Sequence, residues 1–348
     1  MSKSVAPISA SSSACPDTAK RAGTGLRHEF IPYAIAFREP VATGAGAWTV
    51  RRGAWLRLQG DDGRVGLGEV APLPPIDSAQ ALAAAIESGP CREAAFEVAK
   101  LDLEAQRFGR PLAYLLSDAP RSRVAVNAVL FASGAEELAA EAARATDAGF
   151  RTLKLKVGSA APPQDIARIL AVRERVGADV AIRLDANRAW DEDAALRVLH
   201  AVERCDIEYV EDPVAGDLRA VGRRTNIPVA ADVATLDEGW RVVRARGADV
   251  LVLKPMALGG LRATRELAVA AIDSGLGAVI TSAFDTAVGV AAALHLAASL
   301  PGPERAHGLA TVGLLEEAPV EGLDAPHAGE MRLPGRTGLG VRLRVNAP

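Results

Sequence analysis

Residues 152–158 read TLKLKVG, with Lys154 and Lys156 two apart in an otherwise apolar run. In a strand side chains alternate faces, so the two ammonium groups point the same way and Leu153 and Leu155 the other. The surrounding sequence decides whether the lysines face water or the interior. Helical AEELAAEAARATDAG (135–149) precedes the stretch and PQDIARILAVRERVG (163–177) follows it, and Gly149 and Gly177 stop the two helices. The same alternation continues with strand VAIRLDA (180–186) and helix EDAALRVLHAVERC (192–205), then strands IEYVED (207–212), IPVAAD (227–232), DVLVLKP (249–255), GAVITSAF (277–284) and AHGLAT (306–311). With VAVNAVLFA (124–132) as the first, this makes eight strands in βαβ units. The expected fold class is α/β, a (β/α)7β TIM-like barrel; an open doubly wound sheet is the alternative. Outward faces of barrel strands pack on helices, so the two leucines belong outside and the two lysines inside.

Upstream the pattern changes. GAWLRLQGDDGRVGLGEVAPLP (53–74) reads as two strands joined at DDG, and EAAFEVAKLDLEAQRF (93–108) as a helix. The expected organisation is a disordered tail over 1–27, an α+β capping domain over 28–120, the barrel over 121–320, and a strand-like segment over 321–348 that returns to the capping domain. The tail is rich in Ser, Ala and Gly and has less Arg than a transit peptide would carry.

Composition excludes several classes of function. A net charge of −3 gives no basic excess for nucleic acid or an anionic membrane, and no apolar run reaches the length of a membrane span. Three widely spaced cysteines fit neither a disulfide scaffold nor a zinc site, and point to a reducing, cytoplasmic setting. Oligomeric state is not readable.

Lys156, Asp185, Glu211, Asp232 and Lys254 end five successive strands, at intervals of 29, 26, 21 and 22 residues. Lone acids near strand ends are usually caps or loop residues, and Asp191 and Asp237 are read that way. Three on adjacent strands differ, because unit charges 4 Å apart repel by roughly 4 kcal/mol at an effective dielectric near 20. Such a cluster calls for a cation, and all-oxygen donors suit Mg2+, or Mn2+, better than zinc. A divalent ion could bind a substrate carboxylate and stabilise the charge left when an α-proton departs. A lysine on each side permits proton removal from one face and acid catalysis or charge stabilisation from the other. Arg183, two before Asp185, also points inward. It is either a partner for an anionic substrate group or part of a structural ion pair.

The K-x-K strand, the D/E/D set and the following K-P strand resemble the enolase superfamily in its muconate-lactonizing subgroup, from about residue 28 to the end. GEVAPLP (68–74), RLDANRAW (183–190) and TSAFDTAVG (281–289) are most similar to the o-succinylbenzoate synthase family. The resemblance implies Asp185, Glu211 and Asp232 as Mg2+ ligands, Lys156 as the acid/base, and Lys254 opposite it against an enediolate. It also implies substrate contacts from Lys154, Arg183 and Ser282, and a loop at VATGAGAW (41–48) that closes the pocket. The expected substrate is a small carboxylate, dehydrated in menaquinone biosynthesis. The subgroup usually has Glu after the third ligand, and here Val233 stands there. An N-succinylamino acid racemase is the first rival. A dipeptide epimerase would carry D-x-D near the eighth strand, where this chain has only Asp285. A binding protein that kept the barrel and lost the chemistry is the rival from another class, although all five rim residues are present. Of the histidines, His200 and His295 are expected to be packing or surface residues, and His307 stays open.

Overall fold

The computed structural model describes residues 26–43, 46–73 and 78–344. The tail expected over 1–27 falls outside this set except for Leu26 and Arg27. The chain opens with strands β1 (Arg27–Thr43), β2 (Gly46–Gln59) and β3 (Val65–Val70), which form an antiparallel sheet in that order. β1 was not anticipated, and it starts one residue before the expected boundary. The turn of the second hairpin lies at Gly60–Arg64, where Gly60 N–H donates to the Arg64 carbonyl. In the stretch expected to close the pocket, Val41 pairs with Trp48 and Thr43 with Gly46, while Gly44 and Ala45 lie outside the described residues. Helices α1 (Ala79–Glu87), also not anticipated, and α2 (Pro90–Phe108) follow. Leu56, Leu58, Val70, Ala95, Ala99 and Leu103 pack this sheet on α2.

The stretch expected as one strand over 124–132 is two. β4 (Arg123–Ala125) pairs antiparallel with residues 330–332, whereas β5 (Ala128–Leu130) joins a parallel sheet. The chain changes partner at Val126 and Asn127: Val126 N–H donates to the Gly329 carbonyl, Asn127 N–H to the His307 carbonyl, and His307 N–H to the Ala125 carbonyl. Alternation then proceeds through α3 (Ala135–Asp147), β6 (Thr152–Lys156), α4 (Pro162–Val176), β7 (Ala181–Asp185) and α5 (Glu192–Ala201). It continues with β8 (Ile207–Glu211), α6 (Leu218–Gly222), β9 (Val229–Val233), α7 (Leu236–Ala245), β10 (Val250–Leu253), α8 (Leu261–Asp273), β11 (Gly277–Ile280) and α9 (Ala287–Ala298). Among the described residues β5 to β11 form a curled seven-stranded parallel sheet in sequence order. The anticipated eighth strand is reduced to His307 and Gly308. These two bridge the sheet's edges, His307 to Val126 and Gly308 to Thr281.

The lysine question is answered by burial. Leu153 and Leu155 are fully buried and pack with Leu138, Ile169 and Val172 of α3 and α4, while Lys154 and Lys156 line a cavity inside the curl. Below them Tyr209, Ala230, Val250, Val252 and Val279 fill the interior.

Three short strands end the fold: β12 (Val320–Glu321), β13 (Glu330–Arg332) and β14 (Arg342–Leu343). β13 pairs with β4 and β14 with β12, so most of this segment does not join the N-terminal sheet. Leu339 reaches back, its N–H donating to Asp102 of α2 at 2.8 Å. His295, buried in α9, accepts from Ala113 N–H at Nδ1 (3.1 Å) and bonds the Leu339 carbonyl through Nε2 (3.0 Å). It is a packing residue, as expected. Among the described residues no helix is long and apolar enough to cross a membrane.

Candidate active site

A cavity of about 440 Å³ opens at the C-terminal ends of the parallel strands. Lys154, Lys156, Asp185, Glu211, Asp232, Lys254 and Ser282 all line it. Lys156 Nζ lies 2.6 Å from Asp185 Oδ2, and Lys154 Nζ lies 2.8 Å from both Asp185 Oδ2 and Glu211 Oε2. Lys254 pairs with Asp232. Lys156, Asp185 and Glu211 share one level in the sheet register. Asp232 instead pairs with Val252 while Ala230 is the partner of Glu211, so the later charges step up by two residues per strand. Such stepping is the shear of tilted strands around a curl.

The electrostatics follow from who shares which cation. Burial opposes charge on Lys154, but the carboxylates of Asp185 and Glu211 outweigh it and hold the ammonium well above its usual range. Asp185 is also buried, yet two lysines hold it well below the usual carboxylate range. Glu211 is pushed up to about 7 by burial and then by the Asp185 charge, against which Lys154 and Lys254 are weaker.

Arg183 does not join this group. It is 1% exposed and lies below the cavity. Its Nε donates to Glu208 at 2.7 Å and its Nη1 to the Ala306 carbonyl and Asn127 Oδ1 at 2.7 and 3.2 Å; the guanidinium also sits 4.8 Å over the Tyr209 ring. It is a structural ion pair, with Glu208 rather than with a ring of carboxylates above, and its donors are not free for substrate. His307 is buried beside it and accepts from Ile280 N–H at 2.9 Å; burial pushes it down to about 3. Val233, which also borders the cavity, packs in the helix layer against Gly239 and near Leu267. Asp191 caps α5 by accepting from Ala194 N–H at 2.7 Å, as its pattern suggested.

Trp48 belongs to the 41–48 stretch expected at the pocket, whereas Phe284, Arg188, Asn187 and Asp212 on the cavity were not anticipated. Trp48 and Phe284 form an apolar wall, their rings edge to face at 5.6 Å. Arg188 bonds Asp212 at 2.7 Å on the rim. Asn187, Arg188, Asp212 and Phe284 have positive φ, four of the seven such non-glycine residues described, and all four line the cavity. That conformation costs an L-residue roughly 1–2 kcal/mol and concentrates where a site is held in a fixed shape. Behind the wall Glu69 accepts from Tyr33 Oη (2.5 Å), Thr286 N–H and Oγ1 (2.9 and 2.8 Å) and Gly289 N–H (2.7 Å). Asp285 is buried there too, outside the main cavity, and burial and the Glu69 charge push it up to about 7. Glu69 sits on β3 and Asp285 on the segment between β11 and α9, and the sequence marks each only as an acid in a largely apolar run.

Among the described residues no three of His, Cys, Asp and Glu converge closely enough to cage a metal outright. Asp185, Glu211 and Asp232 nonetheless present oxygen-only donors to one cavity, and lysines now neutralise them. That donor chemistry suits a hard divalent cation competing with those ammonium groups.

Residues 137–347 match the family described as Enolase C-terminal domain-like. The o-succinylbenzoate synthase of Thermobifida fusca (strain YX) is 39% identical over 287 residues, 80% of each chain. The L-Ala-D/L-Glu epimerase of Bacillus subtilis (strain 168) is 30% identical over 353 residues, 91% of this chain and 96% of that one. A dipeptide epimerase from Enterococcus faecalis V583, solved with Mg and the dipeptide L-Leu-L-Tyr, superposes with a TM-score of 0.82 at 27% identity, covering 90% of this chain and 98% of its own. With its parallel sheet, its lysine-flanked carboxylates and this match over more than half its length, the chain belongs to the enolase superfamily.

Proposed function

We propose that the chain is an o-succinylbenzoate synthase, removing water from 2-succinyl-6-hydroxy-2,4-cyclohexadiene-1-carboxylate to give 2-succinylbenzoate in menaquinone biosynthesis. In this reading the curled sheet is a (β/α)7β barrel over 121–320, covered by an α+β capping domain over 28–120. The observation that carries it is the pairing of Lys156 and Lys254 across one cavity, with the three carboxylates between them. The likeness to the Thermobifida synthase then favours dehydration among the reactions this arrangement supports.

Asp185, Glu211 and Asp232 would hold Mg2+, or Mn2+. When bound, the ion supplies positive charge against the substrate carboxylate as that group gains electron density. Lys156 takes the proton from the carbon that bears the carboxylate, and the electron pair passes into an enediolate. Lys254, opposite, holds its ammonium against that negative charge. The electrons then return, the C–O bond to the ring hydroxyl breaks on the face of Lys156, and the proton Lys156 holds leaves with the hydroxide as water. The ring becomes aromatic, and Lys156 returns to its starting state. Ser282 and the Trp48–Phe284 wall would bound the substrate.

The presence of lysines on both sides also favours a second reading, N-succinylamino acid racemase, in which one lysine removes the α-proton and the other returns one from the opposite face. Dipeptide epimerisation is less favoured. Asp285, the acid nearest the position of the expected D-x-D, lies behind the wall with Glu69 instead of in the cavity. A protein of soluble small-molecule metabolism, with no nucleic-acid or membrane partner, is consistent with the charge balance.

The test is ultraviolet-monitored turnover of the cyclohexadiene substrate with Mg2+, with and without chelator. Turnover lost on chelation supports the synthase. Turnover of N-succinylamino acids alone would replace it with the racemase, and full biological activity in Lys156→Ala would revive a non-catalytic protein.

A further inference from the structure

The aromatic wall of the cavity is fastened to the N-terminal sheet. Arg51 of β2 is fully buried in the seam between that sheet and the segment after β11. Its Nε donates to the Phe284 carbonyl at 3.0 Å and its Nη1 to the Pro72 carbonyl at 2.7 Å. One guanidinium thus draws together two segments, 71–73 and 282–285, that each put a residue on the cavity, Leu73 and Phe284. Phe284 has φ +58°, a conformation unusual for a bulky residue, and its ring is met by Trp48 and by Phe37 at 5.8 Å, both from the same sheet. Trp55 Nε1 adds a bond to Thr286 Oγ1 at 3.0 Å, and Glu69 holds the first turn of α9. Arg51 Nη2 and Asp285 Oδ1 are buried with no hydrogen-bond partner among the described residues, and the guanidinium charge lies near the carboxylates of Glu69 and Asp285.

We propose that Arg51 is a positioning residue for substrate selection: by holding the Phe284 carbonyl it keeps that backbone left-handed and the ring on the cavity, so that the N-terminal sheet sets the shape of the wall facing the lysines. The proposal rests on the cavity's being the active site. Arg51 touches no reacting group. It acts through Phe284, and its loss affects how well substrate is held more than how fast the proton moves.

The test compares Arg51→Lys, Phe284→Ala and the double variant with wild type, by hydrogen exchange of the amides of 283–289 and by steady-state kinetics. Lysine keeps the charge beside Glu69 and Asp285 but lacks the planar fork whose separate nitrogens, Nε and Nη1, reach the two carbonyls. Arg51→Lys is expected to speed exchange at 283–289 by about tenfold or more while β6 and β7 keep wild-type rates. Its KM should rise about tenfold with kcat within about twofold. Phe284→Ala should raise KM similarly and leave that exchange slow, and the double variant should be no worse in KM than Phe284→Ala. Unchanged exchange in Arg51→Lys, fast exchange in Phe284→Ala alone, or additive KM effects would each overturn the proposal. Absence of turnover in wild type would count against the proposed function, and the exchange data would still decide the role of Arg51.

Discussion

Charged side chains point into the curled sheet at two levels, and the two levels have opposite fates. At the lower one Arg183 meets Glu208, Asn127 and a carbonyl, and Arg305 adds a second cation to Glu208 at 3.1 Å. The Arg183 donors find acceptors, although Glu208 and Arg305 also border a second cavity of about 440 Å³ on that side of the sheet. At the upper one three lysines and three carboxylates share a cavity of about 440 Å³, and their mutual effects pull Asp185 down and Glu211 up. Both levels obey the same strand alternation. What separates them is how the charges are shared: the buried Arg183 has a set of partners of its own and is part of the scaffold, whereas three carboxylates that share three lysines on one cavity are a site that can take a ligand.

The sharpest way to break this comparison is to delete one charge at each level. Lys156→Ala is expected to lower kcat by a factor on the order of 10³ or more, since it removes the group that moves the proton. Its melting temperature should stay near wild type, because Lys156 is 24% exposed and only one of two cations on Asp185. Stopped turnover with unchanged melting is the expected pair of results; residual turnover within tenfold would remove Lys156 from the mechanism. Arg183→Met should do the reverse. Breaking a buried pair typically costs about 3–5 kcal/mol, and the lower end applies because Arg305 remains with Glu208. Urea unfolding should report that loss, while the folded fraction keeps its KM. A raised KM with unchanged stability would return Arg183 to the substrate.

Much of this division was legible in the sequence. Strand alternation put Lys154, Lys156, Asp185 and Arg183 on one face, and unit spacing brought Glu211, Asp232 and Lys254 to the same end. The level of each charge was not legible, because the register step between β8 and β9 is a property of strand tilt, absent from spacing along the chain. Arg183 was likewise not set apart from Lys154, its register partner on β6: Lys154 reaches to Asp185 and Glu211, whereas Arg183 turns to Glu208 and Asn127. Arg51, Glu69 and Asp285 were missed for another reason. They are brought together from positions 51, 69 and 285, and their partners are mostly backbone groups, which every sequence has. The break of the first strand at Val126 likewise depends on a partner, His307, from the far end of the curl.

Asp285 extends the comparison to pH. Burial raises its folded pKa to about 7 from an unfolded value of 3.8, so the folded state holds a proton that the unfolded state has released. Its contribution is fully present below about pH 3.8 and is lost as pH rises to about 7. Asp285→Asn cannot lose that proton. Relative to wild type it should gain stability between pH 5 and pH 8, on the order of 2 kcal/mol. Glu211 titrates in the same direction in both proteins, so the difference isolates Asp285. Parallel stability curves from urea titrations at the two pH values would mean that Asp285 is ionised throughout.

Arg188 gives the smallest effect and separates charge from conformation. Its side chain is 47% exposed on the rim and pairs with Asp212, a type of contact worth about 0–1 kcal/mol. Its backbone, at φ +62°, is where an L-residue carries strain and glycine does not. Both Arg188→Ala and Arg188→Gly lose the ion pair, so that loss cancels between them. In regular structure alanine would be the more stable by roughly 0.5–1 kcal/mol, because glycine gives up more chain entropy on folding. Here relief of roughly 1–2 kcal/mol of left-handed strain opposes that term. Arg188→Gly should therefore melt at or above Arg188→Ala, a reversal of the usual order. If alanine melts higher, residue 188 is not left-handed in solution, and the link between strained backbone and this rim loses one of its four members.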